Sequence, residues 1–286
     1  MKPPTEPHGL MLHYFHGGAH KPTQGSLSAD DFRRLLDEYG HRMIDAALWH
    51  DLAVGNVLAD QVCVTLDDGL REAIDVALPV LEERGLTAAW NVPTLPLVGV
   101  PLAQEVYRWV RNQFATMGDF YNAAGGAYVI PPEYLAHIAY LSPRDRAFRY
   151  IRDEVLSAAE YERLMDFIAR ANGLTCPITT DHWLRSSDLW ELREAGHVIG
   201  LHTHTHPTNI TGLSREQQAA EYATSAWILK TIIGEPVTTM SHPNGRVTDF
   251  GLDWMRANGI TLAWGATMTG SWPYMVPRWS SGNWSQ

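Results

Sequence analysis

Val64-Thr65-Leu66-Asp67-Asp68-Gly69 is the stretch that decides the fold. An apolar, β-branched run ends in two adjacent carboxylates and a glycine, and a helical pattern begins at Leu70. A buried strand that carries polar residues at its C-terminal end and passes directly into a helix is the unit of a parallel α/β sheet, whose strand ends form the rim of a site. Neighbouring residues on an extended backbone point in different directions, so the two carboxylates suit different tasks, one on a metal and one on water. An acidic pair ahead of a helix also suits the positive end of its dipole, and Asp-Asp-Gly alone leaves both uses open.

Outward from this unit the same rhythm recurs. Residues 10–15, 61–66 and 87–92 read as strands. A helix over 29–39 is capped by Ser28 and ended by Gly40, and one over 70–84 is closed by Gly85 with a bend at Pro79. Later, Ser186 or Ser187 opens a helix that ends at Gly196, and 197–201 is a strand. Ser214 and Gln217 form a capping box for a helix reaching Ile233. Residues 238–241 and 260–264 are short strands, separated by a helix that runs from Thr248 to Asn258. Between 101 and 180 the alternation breaks. Segments 103–114 and 144–171 look helical, with Tyr107, Val110 and Phe114 on one face and a Gly/Pro-containing stretch at 125–132. The expectation is one α/β barrel domain spanning 1–286, with 101–180 as a helical insertion.

The 286 residues suffice for one large barrel, and a 45% hydrophobic fraction supplies its core. A net charge of -10, with Lys2, Lys21 and Lys230 as the lysines, excludes a basic nucleic-acid footprint. Apolar runs are shorter than a bilayer span, and residues 1–9 are polar and Pro-rich without the apolar region of a signal peptide. Cys63 and Cys176 do not make a disulfide framework and read as reduced thiols. A cytoplasmic protein is expected.

Gly200-Leu201-His202-Thr203-His204-Thr205-His206-Pro207 follows another buried strand. His202 and His206 are four residues apart, so one helical turn or a tight loop brings both imidazoles to one cation. Asp68 completes an Asp-His-His set, the ligand types of a catalytic zinc with an open position for water. His204 falls between them and faces elsewhere, and Asp67 is left free as a base. A solvated histidine loop is the alternative.

Thr65-Leu66-Asp67-Asp68 resembles the Thr-Phe-Asp-Asp motif of the polysaccharide deacetylases with NodB homology, carbohydrate esterase family 4. His202 to His206 resembles that family's His-Ser/Thr-x-x-His motif, and Glu194 to Leu201 is similar to its flanking text. The resemblance runs from Leu10 to Trp264, apart from 101–180. It implies a distorted (β/α) barrel with fewer than eight regular units. It also implies Asp67 as catalytic base, with Asp68, His202 and His206 holding one divalent metal ion, expected to be zinc.

Three positions depart from the family pattern. Where an Arg before Pro usually orients the base, Ser241-His242-Pro243-Asn244-Gly245 places His242. The late Leu-x-x-His that supplies the general acid is missing, since no histidine follows His242. A branch with that motif moved to the first strand is similar to Leu10-Met11-Leu12-His13, which makes His13 the first choice for the acid, with His16 competing. Pro277-Arg278 resembles a Pro-Arg near the end of that branch, where the Arg pairs with the base or with a substrate oxygen.

The function expected is removal of an N-acetyl or N-formyl group from an intracellular amino sugar or related small amide, free or nucleotide- or lipid-linked, with the insertion covering the cleft. A backbone N–H near Thr94 or His16 is expected to stabilise the oxyanion. Trp264, Trp272, Trp279 and Trp284 are candidates for a sugar-stacking wall. The rivals are a catalytically silent carbohydrate-binding barrel and a cyclic-amide hydrolase. Two acidic neighbours at a strand end, which have no packing use, argue against the silent barrel.

Overall fold

In the computed structural model, residues 3–23, 25–114, 119–120, 131–134 and 143–284 are described. Seven strands form one sheet: β1 (His8–Leu12), β2 (Val62–Leu66), β3 (Ala88–Val92), β4 (Val198–Leu201), β5 (Thr239–Ser241), β6 (Leu262–Trp264) and β7 (Arg278–Ser280). Their order is β6-β5-β4-β3-β2-β1-β7, with every pairing parallel. The two ends of this order meet. Val276, just before β7, bridges to Trp264 of β6, donating to the Ala263 carbonyl at 2.8 Å and accepting from Gly265 N–H at 2.9 Å. The result is a nearly closed, distorted (β/α) barrel, as expected.

Parallel strands covered by helices are buried on both faces and read as continuous apolar runs. β2, Val-Cys-Val-Thr-Leu, is buried at every position. The helices begin where their caps predict. Ser28 and Asp31 form a capping box for α1 (Ala29–Tyr39). Among the helices downstream of it are α2 (Ala46–Val54), α3 (Leu78–Glu83) and α4 (Ala103–Asn112). The long helix Arg215–Ile233 starts at the Ser214/Gln217 box and stops at Gly234.

Several boundaries shift for identifiable reasons. β1 stops at Leu12, because the N–H of Phe15 goes to the Glu72 carboxylate at 2.8 Å instead of to a neighbouring strand. The helix expected over 70–84 contains a π-helical segment, Ala73–Ala77, before α3. Pro79 lacks an N–H and crowds the carbonyl four residues earlier, so the ladder widens ahead of it. Two elements were not expected, α2 and β7. α2 buries Ala46, Trp49 and Ala53 at helical spacing, while β7 is three residues long with a buried arginine in place of an apolar pattern.

Between β3 and β4 the described residues contain α4, the helices Pro143–Tyr150 and Ala158–Ala171, and a π-helical segment, Ile151–Val155. Tyr107 and Val110 are buried in a separate apolar cluster with Phe148, Tyr161, Met165 and Ile168, and Phe114 packs against it. Of the Gly/Pro-containing stretch at 125–132, residues 125–130 lie outside the described residues. No helix among the described residues is long and apolar enough to cross a membrane.

Candidate active site

The C-terminal ends of β2 and β4 meet in a buried cluster of Asp68, His202 and His206, whose ligand atoms all lie within 4.8 Å of one another. Asp67 still belongs to the sheet, its N–H donating to the Leu12 carbonyl. Asp68 (φ 68°) and Gly69 (φ 60°) then take left-handed conformations in succession, turning the chain sharply at the strand end. Thr203 (φ 63°) and His206 (φ 53°) do the same after β4. Such conformations in non-glycine residues cost about 1–3 kcal/mol each and collect at functional sites. The four-residue histidine spacing is therefore realised by a tight loop, not a helical turn. Glu221 holds that loop by accepting from the N–H groups of His204 and Thr205 at 2.9 and 2.8 Å. As expected, His204 faces away, its Nδ1 2.9 Å from the Thr94 hydroxyl.

The donor set fits a divalent cation. His202 Nε2 and His206 Nε2 stand 3.4 and 3.3 Å from Asp68 Oδ1. Both Asp68 oxygens are buried and without a hydrogen-bond partner. A buried carboxylate in that state is costly, and a cation would supply the missing partner. His202 donates Nδ1–H to the Ser241 carbonyl at 2.8 Å, which leaves the Nε2 lone pair directed at the cluster, as metal-ligating histidines do. Burial pushes the His206 imidazole down to about 4, so at neutral pH it is in the uncharged form that ligates.

Donors hold both oxygens of Asp67. Arg278 Nη1 stands 2.8 Å from Oδ1 and Nη2 2.8 Å from Oδ2. Asn91 donates to Oδ1 at 2.8 Å and the Ser241 hydroxyl to Oδ2 at 3.0 Å. Burial alone would raise this carboxyl, but the Arg278 guanidinium more than offsets that effect and holds it well below the usual carboxylate range. One aspartate is thus held by donors on both oxygens, and its neighbour is left without any.

Over residues 162–263, which include His202 and His206, the chain matches the family model described as polysaccharide deacetylase. The matched region supports the resemblance to the polysaccharide deacetylases that the two motifs carry. Its fold is similar to that of the Streptococcus pyogenes deacetylase PplD in complex with acetate, at 16% identity and a TM-score of 0.58 over 97% of this chain and 93% of that one. It is similar to IcaB from Ammonifex degensii, at 16% identity and 0.57 over 96% and 91%. A de-N-acetylase from Aggregatibacter actinomycetemcomitans gives 12% identity and 0.57 over 98% and 97%. No curated protein matches the chain in sequence.

The departures from the family pattern acquire places in this frame. Arg278, from β7, reaches the aspartate that the third-motif Arg would orient, and His242 sits at that motif buried and differently engaged. His242 Nε2–H donates to the Tyr274 carbonyl at 3.0 Å, its Nδ1 is buried without a partner, and burial lowers its pKa to about 4. A neutral imidazole whose one proton is committed to a carbonyl has none to give. His16 faces the Ser26 hydroxyl at 2.9 Å. His13 is half-buried, with Nε2 3.8 Å from Asp67 Oδ2.

Two expectations are corrected. The N–H groups of Thr94 and His16 are already donated to the carbonyls of Thr203 and Leu27, so neither serves an oxyanion. Nor do the late tryptophans form one wall. Trp264 and Trp279 are buried in the core, Trp272 stacks on Trp49 at 5.7 Å, and Trp284 donates to Glu38. Sequence reasoning also missed Asn91 and Ser241. A polar residue inside Ala-Ala-Trp-Asn-Val and a serine at the end of β5 were the available signals.

Proposed function

We propose that this chain is a divalent-metal-dependent deacetylase that removes an N-acetyl or N-formyl group from an amino sugar, free or nucleotide- or lipid-linked. The observation that carries the reading is the bare, buried Asp68 carboxylate facing two imidazole nitrogens at 3.3 and 3.4 Å. Bound by Asp68, His202 and His206, a divalent cation, zinc by its N/O donor set, supplies Lewis acidity to the acyl oxygen and to water. Asp67 takes the proton of the attacking water as its oxygen bonds to the acyl carbon. His13, the accessible imidazole beside Asp67, delivers a proton to the departing nitrogen as the C–N bond breaks. Carboxylic acid and free amine are the products. Arg278, Asn91 and Ser241 keep Asp67 ionised and oriented.

The silent-barrel alternative draws on the missing motif-three Arg and the missing late His, and the Arg278–Asp67 pair speaks against the first of these. A cytoplasmic setting is part of this reading, supported by Cys63 and Cys176, both free thiols. So is a single domain in which 101–180 is an insertion over the cleft, favouring small substrates. The test is acetate or formate release from a panel of N-acylated amino sugars by the zinc-loaded chain. Release that chelation abolishes and zinc restores is the expected result. Saturable sugar binding without release would make it a binding protein, and activity confined to cyclic amides would move the reaction class.

A further inference from the structure

Beside the metal-facing cluster lies a second polar cluster that the mechanism above does not use. Glu105, on α4, is 2% exposed. Its Oε1 accepts from the Tyr14 hydroxyl at 2.9 Å, and its Oε2 accepts from Arg108 Nη1 at 3.2 Å and lies 3.7 Å from His182 Nε2. The Arg108 guanidinium stands 3.4 Å from the centroid of the Tyr14 ring and also donates to Thr23 at 2.6 Å. Tyr14 is therefore tied at its hydroxyl and covered on its face. The His13 ring lies against it, 29° from parallel with centroids 5.9 Å apart. The next residue, Phe15, is anchored through its N–H to Glu72.

Three consecutive residues thus have three different attachments. His13 meets Asp67, Tyr14 meets α4, and Phe15 meets the start of the helix that follows Asp68. His13 lies just past the end of β1, and its side chain is 31% exposed. A side chain there has rotamer freedom to lose, whereas a proton donor has to be held near one geometry. A buried carboxylate that touches no reacting group, yet fixes the ring on which the proton donor rests, supplies that restraint.

We propose that Glu105 is a positioning residue for the proton donor: through the Tyr14 hydroxyl it holds the His13 ring beside Asp67. The inference rests on the reading of His13 as general acid. It ties turnover to α4, so the segment between β3 and β4 contributes to the chemistry and not just to the walls of the cleft.

The test uses the zinc-loaded full chain and two probes, 7-acetamido-4-methylcoumarin and 4-methylumbelliferyl acetate. Both carry an acetyl group on the same ring system, but one leaves as an amine, which needs a proton on its nitrogen, and the other as a phenolate, which does not. Tyr14→Phe is expected to lower kcat for the amide about 10-fold, with KM within about twofold and the ester within about threefold. Glu105→Ala should behave alike, and Glu105→Gln, which retains a carbonyl acceptor for the phenol, should lose less. Added to His13→Ala, Tyr14→Phe should cost nothing further. If His13→Ala is amide-selective while Tyr14→Phe and Glu105→Ala slow both probes equally or neither, the positioning role is overturned and the acid stands. If His13→Ala itself shows no amide selectivity, the acid assignment fails and the positioning role falls with it. A crystal structure of Tyr14→Phe reads the same claim without turnover: a His13 ring displaced from Asp67 supports it, and an unmoved ring overturns it.

Discussion

Arg278 meets Asp67 fork to fork, Nη1 on Oδ1 and Nη2 on Oδ2, each at 2.8 Å and both side chains buried. The partners sit on β7 and β2, with β1 between them. The same guanidinium donates to the Ser241 hydroxyl and the Gly265 carbonyl, which ties three strand ends around one carboxylate. Bidentate pairs of this kind fix orientation as well as charge. An ionised Asp67 is thereby held in one pose while Asp68, its neighbour in sequence, is left without donors.

Removing either member strands the other as a buried charge, which costs about 3–5 kcal/mol. Arg278→Met and Asp67→Asn should each lower the urea midpoint accordingly. The double variant, with no charge left to strand, should be more stable than either single one while remaining inactive. Additive losses in the double-variant cycle would show that the pair is not coupled.

Gly200, on β4, gives a test that replaces none of the polar partners. A Cβ there would lie 2.4 Å from Asn91 Oδ1 and 2.8 Å from Thr239 Oγ1, so alanine has to push Asn91 away from Asp67. Gly200→Ala should keep its cation and lose about 10-fold in turnover, in line with a displaced orienting group. Parental activity would mean that Asn91 has no part in holding the aspartate.

Much of this site was legible before any coordinates. A strand that ends in Asp-Asp-Gly and another that ends in His-x-x-x-His announce ligand types and spacing, and the caps at Ser28, Ser214 and Thr248 mark helix starts by a local hydrogen bond. Arg278 was named by resemblance alone, and the residues around it give no local sign of its place. Its strand has three residues, and an arginine inside a barrel looks like a surface residue until the sheet closes and brings Asp67 to it. Asn91 and Ser241 were hidden for the same reason, since their partner lies 24 and 174 residues away. Local patterns report local bonds, and only the closed barrel brings these donors together.

His197 links the barrel to acid stability away from the metal-facing cluster. Its Nδ1 accepts from the Ala88 N–H at 2.9 Å and the Trp90 indole at 3.1 Å, which requires the unprotonated ring. Burial lowers its pKa to about 4, against about 6.5 in the unfolded chain. The unfolded state therefore binds more protons between these values. The stabilisation is fully present above pH 6.5 and is lost as pH falls toward 4, by up to about 3 kcal/mol. His197→Gln, an acceptor that does not titrate, should flatten the dependence of thermal midpoint on pH across that window. An unchanged slope would assign the acid sensitivity to other groups.

The central claim is that Asp67 and Asp68, adjacent in sequence, have divided their work, one holding a cation and the other taking a proton. The most direct measurement is zinc stoichiometry by elemental analysis of the parent, Asp67→Asn and His206→Ala, purified and loaded alike and each checked for folding by circular dichroism. The account predicts about one cation per chain in the parent and in Asp67→Asn, with hydrolysis lost in the latter by about 10²-fold or more, and little cation in His206→Ala. Equal zinc in parent and His206→Ala, or zinc lost from Asp67→Asn but kept in His206→Ala, would contradict it.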